Sequence, residues 1–524
     1  MLADDVVKDD APTAIRDRIQ LPSGRIIYWL MGLLVVYVII RGVVAAAMKP
    51  FWFDELLTLT ISSLPSMKTV WGALVRALDG QPPGFYAVER NVVGLLQSKH
   101  IALRLASILT FPCVLLCVFA YAKKRSGEFI GFFCALFLLL TTLFDRYAVE
   151  ARPYSMLIAC FAFALVCYQR IPSPFWTAML ALTLAVAQTL HHYAVLAMVP
   201  FGLAEAVFFL RTQKFRWQVW LAFVLGAMPL AFFWPLLVSM RSHFGAHYYE
   251  NYGYSSIPGT YGAFFLTDSA FATAMVAVSI AGVVGSLFLP RVGAASLSKI
   301  NDADVAEGTL LLSFVLLPFI AFTIIRVMHG GMRERYVLAS ILGISLALAA
   351  TLSLARPRVV ALFALFIVCG VAVREFRFWR SNHSLYLVSP AAGVEEFVQK
   401  NGHSDLPVVV ASGMKYIPLA YYAAPIFSRR LFYLTDEIKA LRYQGADTLD
   451  KNVLILRDYM PLQVRDFSEF TSSHSEFLVY AEEPDDAGTW LPMYLSREAA
   501  TMRTVAVEPV RRLYLVTMKD NSSH

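Results

Sequence analysis

Apolar runs of roughly 17–25 residues recur through the first seven-tenths of this chain, and that recurrence restricts its fold more than any other feature. A hydrocarbon core about 30 Å thick needs roughly 20 apolar residues in a helix. Runs meeting or approaching that length fall at 27–48, 101–121, 128–144, 154–169, 176–190, 193–210, 217–239, 271–289, 308–325, 337–354 and 359–376. Inside a bilayer the backbone must satisfy its own polar groups, so such runs fold as helices. The expectation is a polytopic α-helical membrane protein with about eleven transmembrane helices. The chain of 524 residues is 58% hydrophobic and 16% charged, whereas soluble domains are about a quarter charged. The two runs that meet at His191-His192 have a second reading as one long bent helix, which would invert everything after them.

The net charge is +7. In such a chain that reports basic cytoplasmic loops rather than nucleic-acid binding, and no basic-aromatic stripe is present. With residues 1–25 as a cytoplasmic tail, the inside loops hold Lys123-Lys124-Arg125, Arg170, Arg211/Lys214/Arg216, Arg291/Lys299 and Arg356/Arg358. The outside loops hold Asp54-Glu55, Asp145 to Arg152, His191-His192, residues 241–270 and Arg326 to Tyr336, and residues 377–524 also fall outside. No small-residue cleavage site follows the first run, which reads as a retained anchor. The six cysteines all lie in apolar segments and read as small core residues.

Two stretches depart from the spanning pattern. Between about 53 and 98, apolar residues at helical spacing (Leu56, Leu57, Leu59, Ile61, Val70, Trp71, Leu74, Val75, Leu78) suggest helices lying in the interface. From 377 onward, runs at 407–412, 431–435, 452–457 and 476–480 read as strands, with helix at 415–423. A final hairpin is expected around Glu508-Pro509. This is a small, soluble, extracytoplasmic α/β domain with a mainly parallel sheet.

Arginine in an outside loop runs against the charge bias and needs a local reason. Arg152, Arg326, Arg333 and Arg335 are such cases. A guanidinium grips phosphate in a fork that lysine cannot copy, although pairing with Glu150, Glu334 or Asp54 would also account for them. Asp54, Glu55, Asp145 and Glu150 sit in the same loops. A hydroxyl nucleophile needs a base within hydrogen-bond reach, and a carboxylate fills that place in inverting sugar transfer; capping of the following helix is the competing reading of Asp54. His192 and Tyr336 are candidate substrate contacts. Neighbouring His191 has the same outside position, and adjacent histidines on a regular helix do not face one metal. The loop containing His243, His247, Tyr248, Tyr249, Tyr252 and Tyr254 reads either as a cover over a substrate or as an interfacial aromatic belt.

The order Phe51-Trp52-Phe53-Asp54-Glu55, Asp79-Gly80-Gln81-Pro82-Pro83-Gly84-Phe85-Tyr86, Leu103-Arg104-Leu105-Ala106-Ser107, Glu150-Ala151-Arg152-Pro153-Tyr154 and Glu334-Arg335-Tyr336 resembles the GT-C glycosyltransferases that depend on polyprenyl-phosphate sugars. That superfamily includes protein O-mannosyltransferases, lipid A aminoarabinose transferases and bacterial lipopolysaccharide-core glycosyltransferases. The match covers about residues 25–355; the α/β tail matches less clearly, and nothing is carried over to it. The resemblance implies a GT-C fold over 26–376, Asp54 as the catalytic acid with Glu55 beside it, and Arg152 and Arg335, with Arg333, near the donor phosphate. It implies a polyprenyl-phosphate-linked sugar as donor and a lipid, glycan or protein as acceptor, in a bacterial inner membrane with the site outside. A divalent ion stays open, with Asp54, Glu55, Glu150 and His192 as conceivable ligands. Gly84 departs from the pattern, where a larger apolar residue is common, and is expected to loosen local packing. Two other readings remain. One is an oligosaccharide ligase or polymerase using a polyprenyl diphosphate, and the other is a lipid or solute transporter, which would place ionisable groups near the membrane midplane.

Overall fold

The computed structural model describes residues 24–244, 253–265, 269–288, 302–328, 331–382, 387–401, 405–482 and 485–518. The expected basic pair Arg291/Lys299 and the loop residues His247, Tyr248, Tyr249 and Tyr252 lie outside them.

An apolar helix or bent helix pair occupies each of the predicted segments. Four are long and apolar enough to cross a membrane by themselves: Gly24–Met48 (α1), Lys99–Leu140, His192–Thr212 and Pro357–Ser381. Trp217–Phe232 with Trp234–Phe244, bent by 55°, and Asp302–Val315 with Leu317–Val327, bent by 66°, qualify as pairs. Shorter apolar helices, among them Tyr154–Tyr168, Pro174–Leu190 and Ser340–Leu354, pack between them. The Lys99–Leu140 stretch breaks at Gly127, whose φ of 84° is open to glycine and strained for other residues. A Cβ on Gly131 would lie 3.1 Å from the Lys123 backbone nitrogen, so the second half folds back against the first.

The ends of this bundle differ in charge. At one end Lys123 reaches Tyr28, Lys124 donates to the Gln169 carbonyl, Arg125 pairs with Asp304 and Glu307, and Arg211 pairs with Asp302 at 2.8 Å. The expected inside loops at Lys123–Arg125, Arg170 and Arg211 therefore meet at one end. The chain turns at His191, where the Pro174–Leu190 helix stops on an extended residue and a 3-10 turn leads into the next helix. This excludes the single bent helix. The loops carrying Asp54, Arg152, His191 and Arg335 gather at the opposite end.

There, three short helices follow α1: α2 (Phe53–Ser62), α3 (Met67–Val75) and α4 (Pro83–Val92). Pro83 occupies the first turn of α4, where its missing N–H costs nothing. Gly84 corrects an expectation. A Cβ there would stand 2.5 Å from Thr189 Oγ1 and 2.6 Å from the Thr189 carbonyl oxygen. The glycine does not loosen the site; it lets α4 press against the end of the Pro174–Leu190 helix. Gly84→Leu should force the two apart, and overpacking of this kind costs about 1–3 kcal/mol. The expected readout is a lower melting temperature of the detergent-solubilised protein.

The C-terminal domain is a six-stranded sheet ordered β3-β2-β1-β4-β6-β5. Strands β1 (Val408–Val410), β2 (Leu431–Thr435), β3 (Val464–Asp466) and β4 (Glu476–Glu482) are parallel, and β5 (Ala500–Val507) with β6 (Arg511–Met518) forms the expected antiparallel hairpin. The segment 452–457 is not a strand. It ends the helix Thr448–Leu456, because Val453 and Leu456 complete a buried helical face with Asp450. Short apolar runs carry no period that separates the two. Val408, Tyr433 and Leu478 on one face of the sheet join a single apolar cluster with Phe51, Leu56, Leu74 and Tyr86 of the short helices. Tyr422 accepts the Phe51 N–H at 2.8 Å and contacts His100 Nε2 at 2.7 Å, while Asn452 donates to the Leu78 carbonyl at 2.8 Å. The domain thus grips both segments that flank the acids described below.

Within it, burial pushes the Asp450 carboxyl up to about 7, against hydrogen bonds from the Tyr433 hydroxyl and the Asp436 N–H. The unfolded chain ionises this group near 3.8. As pH rises from there to about 7 the unfolded state loses a proton that the folded state keeps, so the stability present below that window falls across it. Asp450→Asn should flatten the fall in melting temperature of the full chain between pH 5 and pH 7.5.

Candidate active site

α2 begins on Trp52, in extended conformation, and places Asp54 and Glu55 in its first turn. Asp54 is therefore inside the helix and is not its cap. Successive helical residues point about 100° apart, and here that rotation separates two acids that the sequence presents as a pair.

Glu55 is fully enclosed. Arg104 Nε donates to its Oε1 at 2.7 Å, Arg104 Nη2 to its Oε2 at 2.6 Å, and the Ala151 N–H to Oε1 at 2.8 Å. Burial alone would raise its pKa, but the Arg104 guanidinium holds it below the usual carboxylate range. The remaining Arg104 donors reach the carbonyls of Ala46, Lys49 and Pro50, and its guanidinium lies over the Phe51 ring. Ser107 donates to the carbonyl of Glu150 at 2.7 Å. The Arg104/Ser107 box thus fastens the loop before α2 to the loop that carries Arg152. Glu55 has no face on which a substrate could rest.

Asp54 is the open member, 13% exposed. Its Oδ2 lies 3.8 Å from Arg152 Nε and 3.9 Å from Arg335 Nη2, at the outer limit of an ion pair. The two cations differ. Arg152 is 3% exposed and commits its fork to Asp79, at 2.6 Å from Nη1 and 3.5 Å from Nη2. Burial would lift the Asp79 carboxyl; Arg152, the Tyr86 hydroxyl and the Gly80 N–H together hold it low. Asp54 is the one carboxylate in ion-pair reach of Arg335 among the described residues. Arg152 Nε and Arg335 Nε are both buried without a hydrogen-bond partner, and so is the Tyr154 hydroxyl. Tyr336 stacks on Tyr193 at 4.4 Å and flanks Arg335. A carboxylate, two guanidinia and stacked aromatic rings thus form one side-chain cluster with unspent donors.

Other predicted residues stand apart. Arg333 opens the turn that carries Arg335 and is half-buried, while Arg326 is exposed at the end of its helix. Asp145 bridges Arg41 at 3.3 Å and Arg374 at 3.1 Å, beside a cavity of about 370 Å³ that Lys49 and Asn382 also line. Glu150 is 2% exposed and faces Lys49 and Arg146, and burial raises its carboxyl. His192 packs against Phe233, with both ring nitrogens unpartnered. The conceivable ligands Asp54, Glu55, Glu150 and His192 therefore do not form one donor set. Among the described residues no group of three or more His, Cys, Asp or Glu is arranged to hold an ion.

The sequence reading missed Asp79 as the support of Arg152 and Arg104 as the partner of Glu55. Both stand inside the quoted boxes, where their presence was the available signal. His191 was passed over in favour of His192, yet its ring lies 5.7 Å from Tyr154 and 5.3 Å from Tyr336.

No family model matches the chain, and no curated protein matches it. Solved structures do resemble it. ArnT from Cupriavidus metallidurans bound to undecaprenyl phosphate is similar over 93% of this chain and 97% of that chain, with 14% identity and a TM-score of 0.41. Its apo state matches over 94% and 98%, with 16% identity and a TM-score of 0.42. The Archaeoglobus fulgidus oligosaccharyltransferase tethered to an acceptor peptide matches over 93% and 74%, with 10% identity and a TM-score of 0.45.

Proposed function

We propose that this chain is an inverting GT-C glycosyltransferase that moves a hexose or pentose from a polyprenyl monophosphate to an acceptor hydroxyl on a lipid, glycan or protein. The observation that carries the reading is Asp54 held 3.8 Å and 3.9 Å from the guanidinia of Arg152 and Arg335, in a cluster with unspent donors. The sequence motifs that resemble the superfamily supply the same residues.

In this mechanism the acceptor hydroxyl gives its proton to Asp54 as its oxygen attacks the anomeric carbon. The bond from that carbon to the phosphate oxygen breaks, and the electron pair stays on phosphate. Charge growing there is met by Arg335, with Arg152 behind it, in a site where fixed donors need no reorganisation. One displacement inverts the anomeric centre. Arg335 is the direct phosphate binder, since Asp79 occupies most of the Arg152 fork.

The site end is read as extracytoplasmic because the opposite end gathers Lys123, Lys124, Arg125, Arg170, Arg211, Lys214 and Arg216. Charged groups gathered at the two ends of the bundle, rather than along a path through it, favour surface chemistry over transport. Mass spectrometry of surface lipids and glycans from cells with and without the gene tests the reading. A hexose or pentose should vanish without the gene and return with the wild-type copy. An unchanged glycan profile would refute it.

A further inference from the structure

We infer that His191 is a hydrogen-bond donor to the lipid phosphate, its Nε2–H presented beside Arg152, Arg335 and Tyr154; this deepens the function proposed above and rests on it.

The argument starts from where the helix stops. His191 ends the Pro174–Leu190 helix in extended conformation, with φ −156° and ψ 130°, and its own Nδ1 accepts the Tyr193 N–H at 3.0 Å. A ring nitrogen that accepts a hydrogen bond carries no proton, so the neutral imidazole has its proton on Nε2. That Nε2 is buried and has no partner in the protein, and the residue is 2% exposed. A buried donor left unpaired costs about 1–3 kcal/mol, and a ligand that brings an acceptor oxygen removes the cost.

The surroundings say which oxygen. Tyr154 and Tyr336 pack on the ring. Tyr154 hydroxyl, Arg152 Nε and Arg335 Nε are likewise buried and unpartnered. A ligand that only accepts satisfies all of them, and two guanidinia select an anion over a sugar hydroxyl. Burial, then His192, Arg152 and Arg335, hold the His191 pKa well below its usual value, so the ring stays neutral beside those cations. With Nδ1 engaged by Tyr193, the ring has no lone pair free to act as a base in competition with Asp54. The alternative role for His191 is purely local, holding the turn through the Tyr193 N–H.

Two conservative variants separate these roles. His191→Asn places an oxygen near the position of Nδ1 and can still accept from Tyr193, but has no donor where Nε2 stood. His191→Gln carries an amide N–H out to that place. The measurement is equilibrium binding of undecaprenyl phosphate, and of uncharged undecaprenol, to the full chain in detergent. H191N is expected to weaken phosphate binding about tenfold or more, the size of one hydrogen bond to a charged group, and H191Q by less than about threefold. Undecaprenol binding should be unchanged in both. The reverse order, with H191N like wild type and H191Q impaired, would assign His191 to the turn and overturn the inference. Selective phosphate binding by wild type and H191N alike would remove His191 and leave the proposed function standing. Equal binding of both lipids by wild type would remove the phosphate site itself, and His191 with it.

Discussion

Asp54→Asn is expected to lower the rate of sugar transfer by about 10²–10⁴-fold, the usual contribution of a positioned general base, while undecaprenyl phosphate binding persists. The amide keeps the size of the side chain and loses its basicity. Asp54 does not hold the fold together: its contacts to Arg152 and Arg335 are long, and Arg152 keeps Asp79. The melting temperature should therefore change little. Transfer is best followed by release of polyprenyl phosphate from a radiolabelled donor in reconstituted vesicles. Activity within a few-fold of wild type would remove Asp54 from the chemistry.

Glu55→Ala should behave in the opposite way. It leaves Arg104 buried without its carboxylate, and breaking a buried pair from one side costs about 3–5 kcal/mol. Arg104 holds the carbonyls of Ala46 in the last turn of α1 and of Lys49 and Pro50 before α2, and Glu55 holds the Ala151 N–H. The expected result is a large fall in melting temperature and in yield of folded protein. Replacing both members, Glu55→Gln with Arg104→Met, should recover part of the loss, because no charge is then stranded. Thermal unfolding of the three variants in one detergent checks this. An unchanged melting temperature in Glu55→Ala with lost activity would return Glu55 to the catalytic set. The adjacent acids are thus expected to differ in kind, one affecting rate and the other stability.

Much of the architecture was legible because it follows from one physical demand. Apolar runs of bilayer length have no alternative to helix, and the lysines and arginines between them marked which loops share an end. The boxes around Asp54, Asp79, Arg104, Arg152 and Arg335 marked residues that the fold brings together at one end of the bundle. What the sequence could not give was direction. Asp54 and Glu55 are neighbours in the chain, and a one-residue step on a helix sends the second inward to Arg104. Asp145 and Glu150 share a loop with Arg152, yet they turn toward Arg41, Arg374, Lys49 and Arg146. His191 and His192 are likewise divided by the stop of a helix, a feature of backbone rather than of composition. Gly84 looked like a loss of packing and is a point of close approach, because the residue it meets, Thr189, is distant in sequence. The strand misread at 452–457 was a short apolar run whose helical partners lie upstream.

The central claim is that Arg335 and Arg152 hold a lipid phosphate with Asp54 alongside. An experimental density map of the protein with undecaprenyl phosphate tests it most directly. The account predicts phosphate density within hydrogen-bond reach of the Arg335 guanidinium and next to the Asp54 carboxylate. Phosphate density at the Lys123–Arg125 end of the bundle, or beside Arg41 and Lys49 with none next to Asp54, would contradict it.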